Sequence, residues 1–295
     1  MGTPSAGAAV RSGVAPAPPP GPTPDRQAGG DSMATGRYLS RLGKRREEFL
    51  REHFAASWRS YDRLAALFTL RLIHAWRERA VRLCDPRHGH RLLDVATGTG
   101  AVLLRAAPRL GATGLAVGLD VSIEGLLKAR DSAQSSGAWS RWVQAAALPM
   151  PFRDQSFDAV VVGFALRHLG PPREVFGEFR RVLAPGGRLV ILDFLRPRPS
   201  LSAWAGLRYL FWVVPIAAGF LSGRRAVYRL ARYLPHSILD ALGPEELVDE
   251  LRSTGFAVET SSGLCAGIVW VFAATVADRS HRRKGGDAPC GRFEH

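Results

Sequence analysis

The segment best able to hold a ligand is a glycine turn that follows a buried strand. Residues 92–100 read Leu-Leu-Asp-Val-Ala-Thr-Gly-Thr-Gly, and a helical pattern begins directly after them. Because Gly98 and Gly100 lack a Cβ atom, the backbone of the turn can pass close beneath a ligand. The N–H groups at the start of the next helix can bind a carboxylate or a phosphate. We therefore predict a cofactor site formed by Asp94, Thr97, Gly98, Thr99 and Gly100.

Two nearby positions indicate the type of cofactor. Nucleotides and S-adenosylmethionine are both bound by such turns, but a dinucleotide fingerprint has a third glycine where this chain has Leu103. Asp120 stands at the end of the next predicted strand, where a carboxylate can accept hydrogen bonds from ribose hydroxyls. A second interpretation stays open, in which Asp120 only caps the helix that starts near Ser122.

The elements that must position these residues alternate along the chain. Short apolar runs and longer helical patterns follow one another, which predicts an α/β fold with helices on both faces of a parallel sheet. We predict strands at 91–96, 115–119, 142–145, 158–164 and 188–194, helices at 102–110, 123–133 and 173–182, and a final antiparallel pair at 257–260 and 268–275. The periodicity alone gives the α/β class and not the strand order.

Composition limits the organisation and the setting of the protein. Gly, Pro, Ala and Ser dominate residues 1–35, which are predicted to be disordered. Residues 279–295 are predicted to be a basic disordered tail, so the domain spans 36–278.

The positive side of the net charge of +14 comes almost entirely from arginine, and this charge favours contact with an anionic membrane or substrate. Three widely spaced cysteines predict neither a disulfide framework nor a metal site, which favours the cytoplasm. A mitochondrial presequence is disfavoured because the run 15–20 is rich in proline.

Motifs after the glycine turn carry a family resemblance. Leu148–Phe152, Ser156–Val161, Phe164–Leu169 and Arg181–Gly187 follow one another in an order that resembles class I methyltransferases. The resemblance is narrower to the ubiquinone and menaquinone biosynthesis C-methyltransferases and covers about Phe54 to Thr275. The segments that carry this narrower match are Asp94–Gly100, Phe164–His168 (F-G-L-R-N in the family), Tyr228–Ile238 (Y-x-Y-L-x-x-S-I) and Gly267–Val269 (G-I-V).

This resemblance implies a fold and a reaction. The fold is a seven-stranded Rossmann-like methyltransferase sheet with an inserted last strand, an N-terminal helical extension and a helical lid at about 200–240. The reaction is methyl transfer from S-adenosyl-L-methionine to a ring carbon of a polyprenylated quinol, such as demethylmenaquinol. Cofactor contacts are implied for Tyr61, Val121, Ala146, Ala147 and Phe164.

Two adjacent residues are candidates for the chemistry. Arg167 and His168 lie just beyond the fourth predicted strand, at the edge of the sheet where ligands bind. We assign Arg167 to stabilising a phenolate and His168 to the role of base. The alternatives are that Arg167 pairs with a structural carboxylate and that His168 is an ordinary loop histidine.

The chain departs from the family pattern at three positions. His168 replaces an asparagine, Ala146 replaces an aspartate that contacts the adenine amino group, and Ala65 replaces another asparagine. These changes leave two alternatives open: methylation of another lipid-like or secondary-metabolite acceptor, and a non-catalytic partner in a membrane complex.

Two segments bear on the partners. Leu201–Leu221 is almost wholly apolar, and we interpret it as a substrate-covering lid rather than a membrane span, since it contains Arg208 and Pro215. Arg37–Phe54 is a basic amphipathic helix that either lies on an anionic membrane or packs on the core. A peripheral enzyme on the inner face of the membrane is expected. No nucleic-acid signature is found, and a homodimer stays open.

Overall fold

A computed structural model describes residues 52–53, 62–277 and 293–294 of the chain. The predicted disordered segment 1–35, Tyr61 and nearly all of the predicted helix 37–54 lie outside these residues. Within them the strands are β1 (Arg91–Val95), β2 (Leu115–Asp120), β3 (Arg141–Gln144), β4 (Phe157–Gly163), β5 (Leu183–Phe194), β6 (Phe256–Leu264), β7 (Val269–Val276) and β8 (Phe293–Glu294). The helices are α1 (62–68), α2 (Leu72–Leu83), α3 (Leu103–Leu110), α4 (Ile123–Ser136), α5 (Pro172–Val182), α6 (Leu201–Arg208), α7 (Val214–Ser222), α8 (Arg225–Leu239) and α9 (Pro244–Ser253).

The strands form one sheet in the order β3-β2-β1-β4-β5-β7-β6-β8. Strands β1 to β5 pair in parallel, and β7 is inserted antiparallel between β5 and β6. This arrangement confirms the predicted fold class. The order reverses direction at β1 and β4, and in open parallel sheets ligands bind at such a switch point, outside the carboxyl ends of the strands.

Most predicted strands agree with the structure to within one or two residues, but two are longer. β5 was expected from 188 and begins at Leu183, which pairs with Phe157 ahead of an irregularity in the register. β6 was expected to end at 260 and continues to Leu264 along β7. Residues 261–263 are Ser-Ser-Gly, which are poor strand formers, so the pairing with β7 decides their conformation.

The central strands are buried on both faces, which explains their continuous apolar runs. In β4, Val160 and Val162 pack in a core layer with residues of α5 and α9, whereas Ala159 and Val161 pack in the opposite layer with residues of α2 and α3. Burial of each such valine contributes about 1.5–3 kcal/mol of transfer free energy. The core therefore fixes the strand ends that carry the glycine turn and Asp120.

Helices α6 to α8 occupy the range predicted as a lid, and we call them the cover helices. Residues 209–213 form a π-helical turn that joins α6 to α7. Pro215 follows this turn, and its missing N–H and its ring disrupt the regular hydrogen bonding of the preceding turn. Glycines let the cover helices approach their neighbours. A Cβ on Gly206 would lie 2.6 Å from Cδ1 of Ile268, and one on Gly219 would lie 3.1 Å from Cβ of Tyr228.

A short eighth strand lies at the edge of the sheet beyond the seven that were predicted. Its two residues pair in parallel with Ser261 and Ser262 of β6. They belong to the segment predicted as a disordered tail, whose other residues lie outside the described ranges.

Candidate active site

A cavity of about 550 Å³ opens at the carboxyl ends of β1, β2 and β4. The predicted cofactor residues that line it are Asp94, Thr97, Gly98, Thr99, Asp120, Val121, Ala146, Ala147 and Phe164. We call this space the cofactor cavity. Sequence positions that are up to 70 residues apart therefore share one site, as the parallel sheet requires.

Asp94 lies at the floor of the cofactor cavity and is almost fully buried. Its Oδ2 accepts hydrogen bonds from Oγ1 of Thr97 at 2.7 Å and from the N–H of Leu103 at 3.3 Å. Burial raises the pKa of the Asp94 carboxyl to about 7, and the hydrogen bond from Thr97 opposes that rise. The carboxylate thus connects strand β1, the turn and the start of α3, and it changes charge close to neutral pH.

Asp120 connects the end of β2 to the glycine turn. Its Oδ2 accepts a hydrogen bond from the N–H of Gly98 at 2.8 Å, and its Oδ1 accepts one from the N–H of Ser122 at 2.8 Å. Burial raises the pKa of this carboxyl as well. The N-cap residue of α4 is Ser122, whose Oγ accepts the N–H of Gly125 at 3.2 Å, and Asp120 contributes to this end of the helix through the N–H of Ser122.

The two glycines of the turn differ in their surroundings. Gly98 has φ +54° and lines the cofactor cavity. Gly100 has φ +74° and is not part of the lining, which departs from the predicted ligand contact. A Cβ at Gly100 would lie 2.9 Å from Cη2 of Trp142 and 3.2 Å from Cβ of Ala129, so the missing side chain makes room for protein packing.

Three charged residues that sequence reasoning did not assign to this site lie beside the glycine turn: Asp62, Arg77 and Lys128. Asp62 of α1 accepts a hydrogen bond from Oγ1 of Thr99 at 2.7 Å and one from Nη2 of Arg77 at 3.1 Å. Nζ of Lys128 lies 3.8 Å from the same carboxylate. Arg77 also lines the cofactor cavity. Tyr61, for which the resemblance implies a cofactor contact, precedes Asp62 directly and was the signal that could have found it; Tyr61 itself lies outside the described residues.

A second cavity, of about 210 Å³, lies under the cover helices. Its walls are almost entirely apolar and come from α1, α2, the cover helices and the segment between β6 and β7. Apolar residues that represent these walls are Leu64, Phe68, Trp76, Leu210, Val214, Leu230, Leu234 and Ile268. We call it the acceptor cavity. Phe164 and His168 line both cavities, so the two spaces adjoin at these side chains.

Arg167 is one of few polar side chains in the acceptor cavity, and it is firmly held. Its Nη1 forms an ion pair with the buried carboxylate of Asp193 and donates to the carbonyl of Phe164 at 3.0 Å. Its Nε donates to Oγ of Ser237 at 3.2 Å. Arg167 therefore pairs with a structural carboxylate, Asp193, as the alternative interpretation expected. Its guanidinium nevertheless lines the acceptor cavity.

His168 stands beside a tyrosine at the boundary of the cavities. Oη of Tyr233 lies 3.4 Å from Nδ1 of His168, and the ring centroids are 5.7 Å apart. Phe164 has the left-handed φ of +60°, which is rare for an aromatic residue and concentrated at functional sites. Both candidate residues thus follow a turn of unusual conformation that ends β4.

Comparison with known proteins gives a family match for most of the chain. The model of the ubiE/COQ5 methyltransferase family matches residues 43–276. Demethylmenaquinone methyltransferase of Thermus thermophilus is 39% identical over 201 residues, which cover 67% of this chain and 88% of that protein. The 2-phytyl-1,4-naphtoquinone methyltransferase of Nostoc punctiforme is 34% identical over 215 residues, covering 72% and 91%.

Solved structures share the fold at low sequence identity. A SAM-dependent methyltransferase from Aquifex aeolicus has a TM-score of 0.51 at 18% identity and covers 68% of this chain and 89% of that chain. Geranyl diphosphate methyltransferase has a TM-score of 0.52 at 16% identity, with coverage of 69% and 77%. At this identity the likeness bears on the fold alone.

Proposed function

The chain belongs to the ubiE/COQ5 methyltransferase family, and from this membership we propose that it transfers a methyl group from S-adenosylmethionine to a ring carbon of a polyprenylated quinol, such as demethylmenaquinol. The predicted family and enzyme class are confirmed by the family match and by the relatives. One observation supports this choice of acceptor: a polar cavity and an apolar cavity adjoin at Phe164 and His168.

The residues of the cofactor cavity fit S-adenosylmethionine. Asp94 and Asp120 are buried carboxylates in its wall, which suits a ligand that carries positive charge and ribose hydroxyls. Asp120 would accept hydrogen bonds from the ribose, and Val121, Ala146 and Ala147 would surround the adenine. The cofactor supplies a methyl group that its sulfonium already activates, so the protein mainly has to align the two reactants.

The acceptor cavity fits the aromatic ring and the first part of an apolar tail. Its lining is dominated by aliphatic and aromatic side chains, and burial of the substrate there would remove apolar surface from water. The polar side chains Arg167, His168 and Tyr233 belong to that lining, and Oη of Tyr233 lies 3.4 Å from Nδ1 of His168. A quinol, which has polar ring oxygens and an apolar tail, matches this division.

Arg167 and His168 are proposed to increase the reactivity of the ring. A ring carbon becomes more nucleophilic when a ring hydroxyl loses its proton, and a nearby base contributes to that step. We assign proton acceptance to the imidazole of His168 and stabilisation of the oxygen anion to Arg167. The ion pair with Asp193 and the hydrogen bond to Ser237 hold the guanidinium in position for this role.

The surface of the cover helices supports a peripheral contact with an anionic membrane, at the inner face of the cytoplasmic membrane. The side chains of four apolar residues of these helices are exposed: Trp204, Trp212, Ile216 and Phe220. Phe220 is 87% exposed. Between residues 201 and 239 the sequence has five arginines and no aspartate or glutamate. Aromatic anchors together with cations are typical of helices that lie in the membrane interface.

The helix that runs through residues 201–222 is also long and apolar enough to cross a membrane by length and composition alone. We favour the interfacial position because Val214 and Ala218 of this helix line the acceptor cavity. A spanning helix would remove that wall.

The proposed function is tested with purified protein, S-adenosylmethionine and demethylmenaquinol kept reduced in detergent micelles. The expected product is heavier than the substrate by one CH₂ and carries the new methyl group on a ring carbon. Cofactor binding without this product, but with methylation of another phenolic lipid, would support the alternative acceptor. Failure to bind the cofactor would support a non-catalytic partner.

A further inference from the structure

Cover helix α8 contacts both candidate residues of the chemical step. Tyr233 and Ser237 stand four residues apart in this helix, so their side chains lie on one face of it. Ser237 accepts the hydrogen bond from Nε of Arg167, and Oη of Tyr233 lies 3.4 Å from Nδ1 of His168. We propose that Tyr233 is a positioning residue, which holds the imidazole of His168 so that its Nε2 accepts the proton of the quinol. This inference rests on the proposed function, because it assumes a quinol in the acceptor cavity.

The imidazole of His168 is held from two sides. Tyr233 is only 2% exposed, and its ring packs on the imidazole with an angle of 36° between the two planes. The backbone of His168 belongs to the short 3₁₀ turn Leu166–His168, in which its N–H donates to the carbonyl of Ala165 at 2.8 Å. A side chain between a fixed backbone and a buried aromatic ring has few alternative orientations. The direction of the two ring nitrogens is therefore set before a substrate binds.

The contact with Tyr233 gives the two ring nitrogens different roles. In a neutral imidazole one nitrogen carries the proton and the other accepts a hydrogen bond. We assign the proton to Nδ1, which donates to Oη of Tyr233, so that Nε2 carries the lone pair. His168 lines both cavities, so its imidazole stands where the quinol ring and the cofactor must meet.

The same contact stabilises the product of the proton transfer. When the O–H bond of the quinol breaks, its electron pair stays on the oxygen and the proton forms a bond to Nε2 of His168. The imidazole then carries a positive charge, and its hydrogen bond from Nδ1 to Tyr233 becomes charge-assisted and stronger. The tyrosine hydroxyl thus contributes more after the transfer than before it, which lowers the barrier.

The role of Tyr233 depends on a histidine at position 168. The family segment that this chain resembles has an asparagine there, and an amide does not accept a proton at neutral pH. His168→Asn therefore provides a background in which the hydroxyl of Tyr233 has no imidazole to position. A residue that acts only through another loses its effect when that other residue is replaced.

The first test is a double-mutant cycle in the quinol methylation assay. Tyr233→Phe removes the hydroxyl and keeps the ring. In the wild-type background we expect kcat to fall about fivefold, with the KM for the quinol and the dissociation constant of S-adenosylhomocysteine within about twofold. In the His168→Asn background the same change should leave kcat within about twofold. Tyr228→Phe is the matched control, because Tyr228 lies on the same helix with its ring beside Arg232, and it should leave kcat unchanged.

The second test reads the position of the proton without turnover, so it applies even if His168→Asn is inactive. Long-range proton–nitrogen NMR spectra of protein labelled with ¹⁵N-histidine distinguish the two tautomers, and the signals lost in His168→Asn identify this residue among the eight histidines. We expect the tautomer protonated at Nδ1 in wild type and a shift toward protonation at Nε2 in Tyr233→Phe.

Several results would overturn the inference. One is a neutral wild-type imidazole protonated at Nε2, and another is an equal loss of kcat from Tyr233→Phe in both backgrounds. A rise in KM or in the dissociation constant that matches the loss of kcat would show that Tyr233 only supports the fold or binds the quinol itself. Absence of methylated quinol with wild type would overturn the proposed function, whereas methylation with an unaltered kcat in Tyr233→Phe would overturn this inference alone.

Discussion

At the scale of single residues, the two buried carboxylates of the cofactor cavity have separable roles. Asp120 holds the turn through Gly98 and also faces the space assigned to the ribose. We expect Asp120→Ala to weaken binding of S-adenosylhomocysteine by about 1–3 kcal/mol, because ribose hydroxyls would lose their acceptor. Titration calorimetry measures the loss, and a thermal melt without ligand reports any damage to the turn. An unchanged affinity would refute the ribose assignment.

Asp94 should make cofactor binding depend on pH. Because burial raises its pKa to about 7, the carboxyl is neutral below that pH and ionised above it. The cofactor is cationic at its sulfonium, so its affinity should rise as the pH increases through about 7. The pKa of Asp120 is also raised by burial, so its ionisation should likewise increase the affinity for the cofactor as the pH rises. The dissociation constant of the cofactor, measured on both sides of pH 7, should therefore depend less on pH in Asp94→Asn than in wild type. The same pH dependence in both proteins would contradict this role.

The same pKa has a consequence for the stability of the protein without ligand. A carboxyl whose folded pKa is above its ordinary value binds protons more tightly in the folded state. Its contribution to the free energy of unfolding is complete below the ordinary pKa and is lost as the pH rises through about 7. Denaturant unfolding of wild type should therefore show declining stability over this window, and Asp94→Asn should show less decline.

Arg167 is expected to act on the chemical step more than on cofactor binding. Arg167→Ala removes the cation from the acceptor cavity and leaves Asp193 buried without its ion pair. Turnover should fall by about tenfold or more, since a charge-assisted contact contributes about 1.5–3 kcal/mol, while the dissociation constant of the cofactor stays nearly constant. Ser237→Ala serves as the control that removes the Nε contact of Arg167 and leaves its ion pair with Asp193 in place. Parallel losses of turnover and cofactor affinity would indicate a structural role.

At the scale of elements, the packing of α6 should control the acceptor cavity. Gly206 lines that cavity, and a Cβ there would clash with Ile268. We expect Gly206→Leu to raise the KM for the quinol several-fold and to preserve cofactor affinity, because the added side chain occupies the cavity or displaces α6. Steady-state kinetics with both substrates measures the two effects. Gly177→Ala in α5 is a control, since a Cβ there meets nothing within 4 Å.

The elements also show what the sequence could predict. The apolar runs of β1, β2 and β4 and the glycine turn were readable because burial on both faces dictates their composition. Contacts between distant positions were not readable in this way. Asp62 meets Thr99 across 37 residues of sequence, and Trp142 fills the space beside Gly100, although neither pair shares a local pattern. The catalytic assignments depended on the family resemblance, since a loop arginine and histidine carry no periodic signal.

At the scale of the whole molecule, the exposed aromatic side chains of the cover helices should determine membrane binding. We expect wild-type protein to co-float with vesicles that contain anionic lipid and to bind neutral vesicles less. A Trp212→Ser and Phe220→Ser double variant should lose most of this binding because both side chains are more than half exposed. Trp139→Ser is the matched control, since Trp139 is 71% exposed but lies between α4 and β3. Equal flotation of the two variants would contradict the assignment.

The cover helices combine the wall of the acceptor cavity with the surface assigned to the membrane. A quinol would then enter from the hydrocarbon phase without crossing water, and its methylated product would return the same way. Reaction velocity should follow the mole fraction of quinol within the bilayer rather than its amount per volume of solution. Diluting the substrate with inert lipid at fixed total quinol should therefore slow the enzyme, a behaviour known as surface dilution.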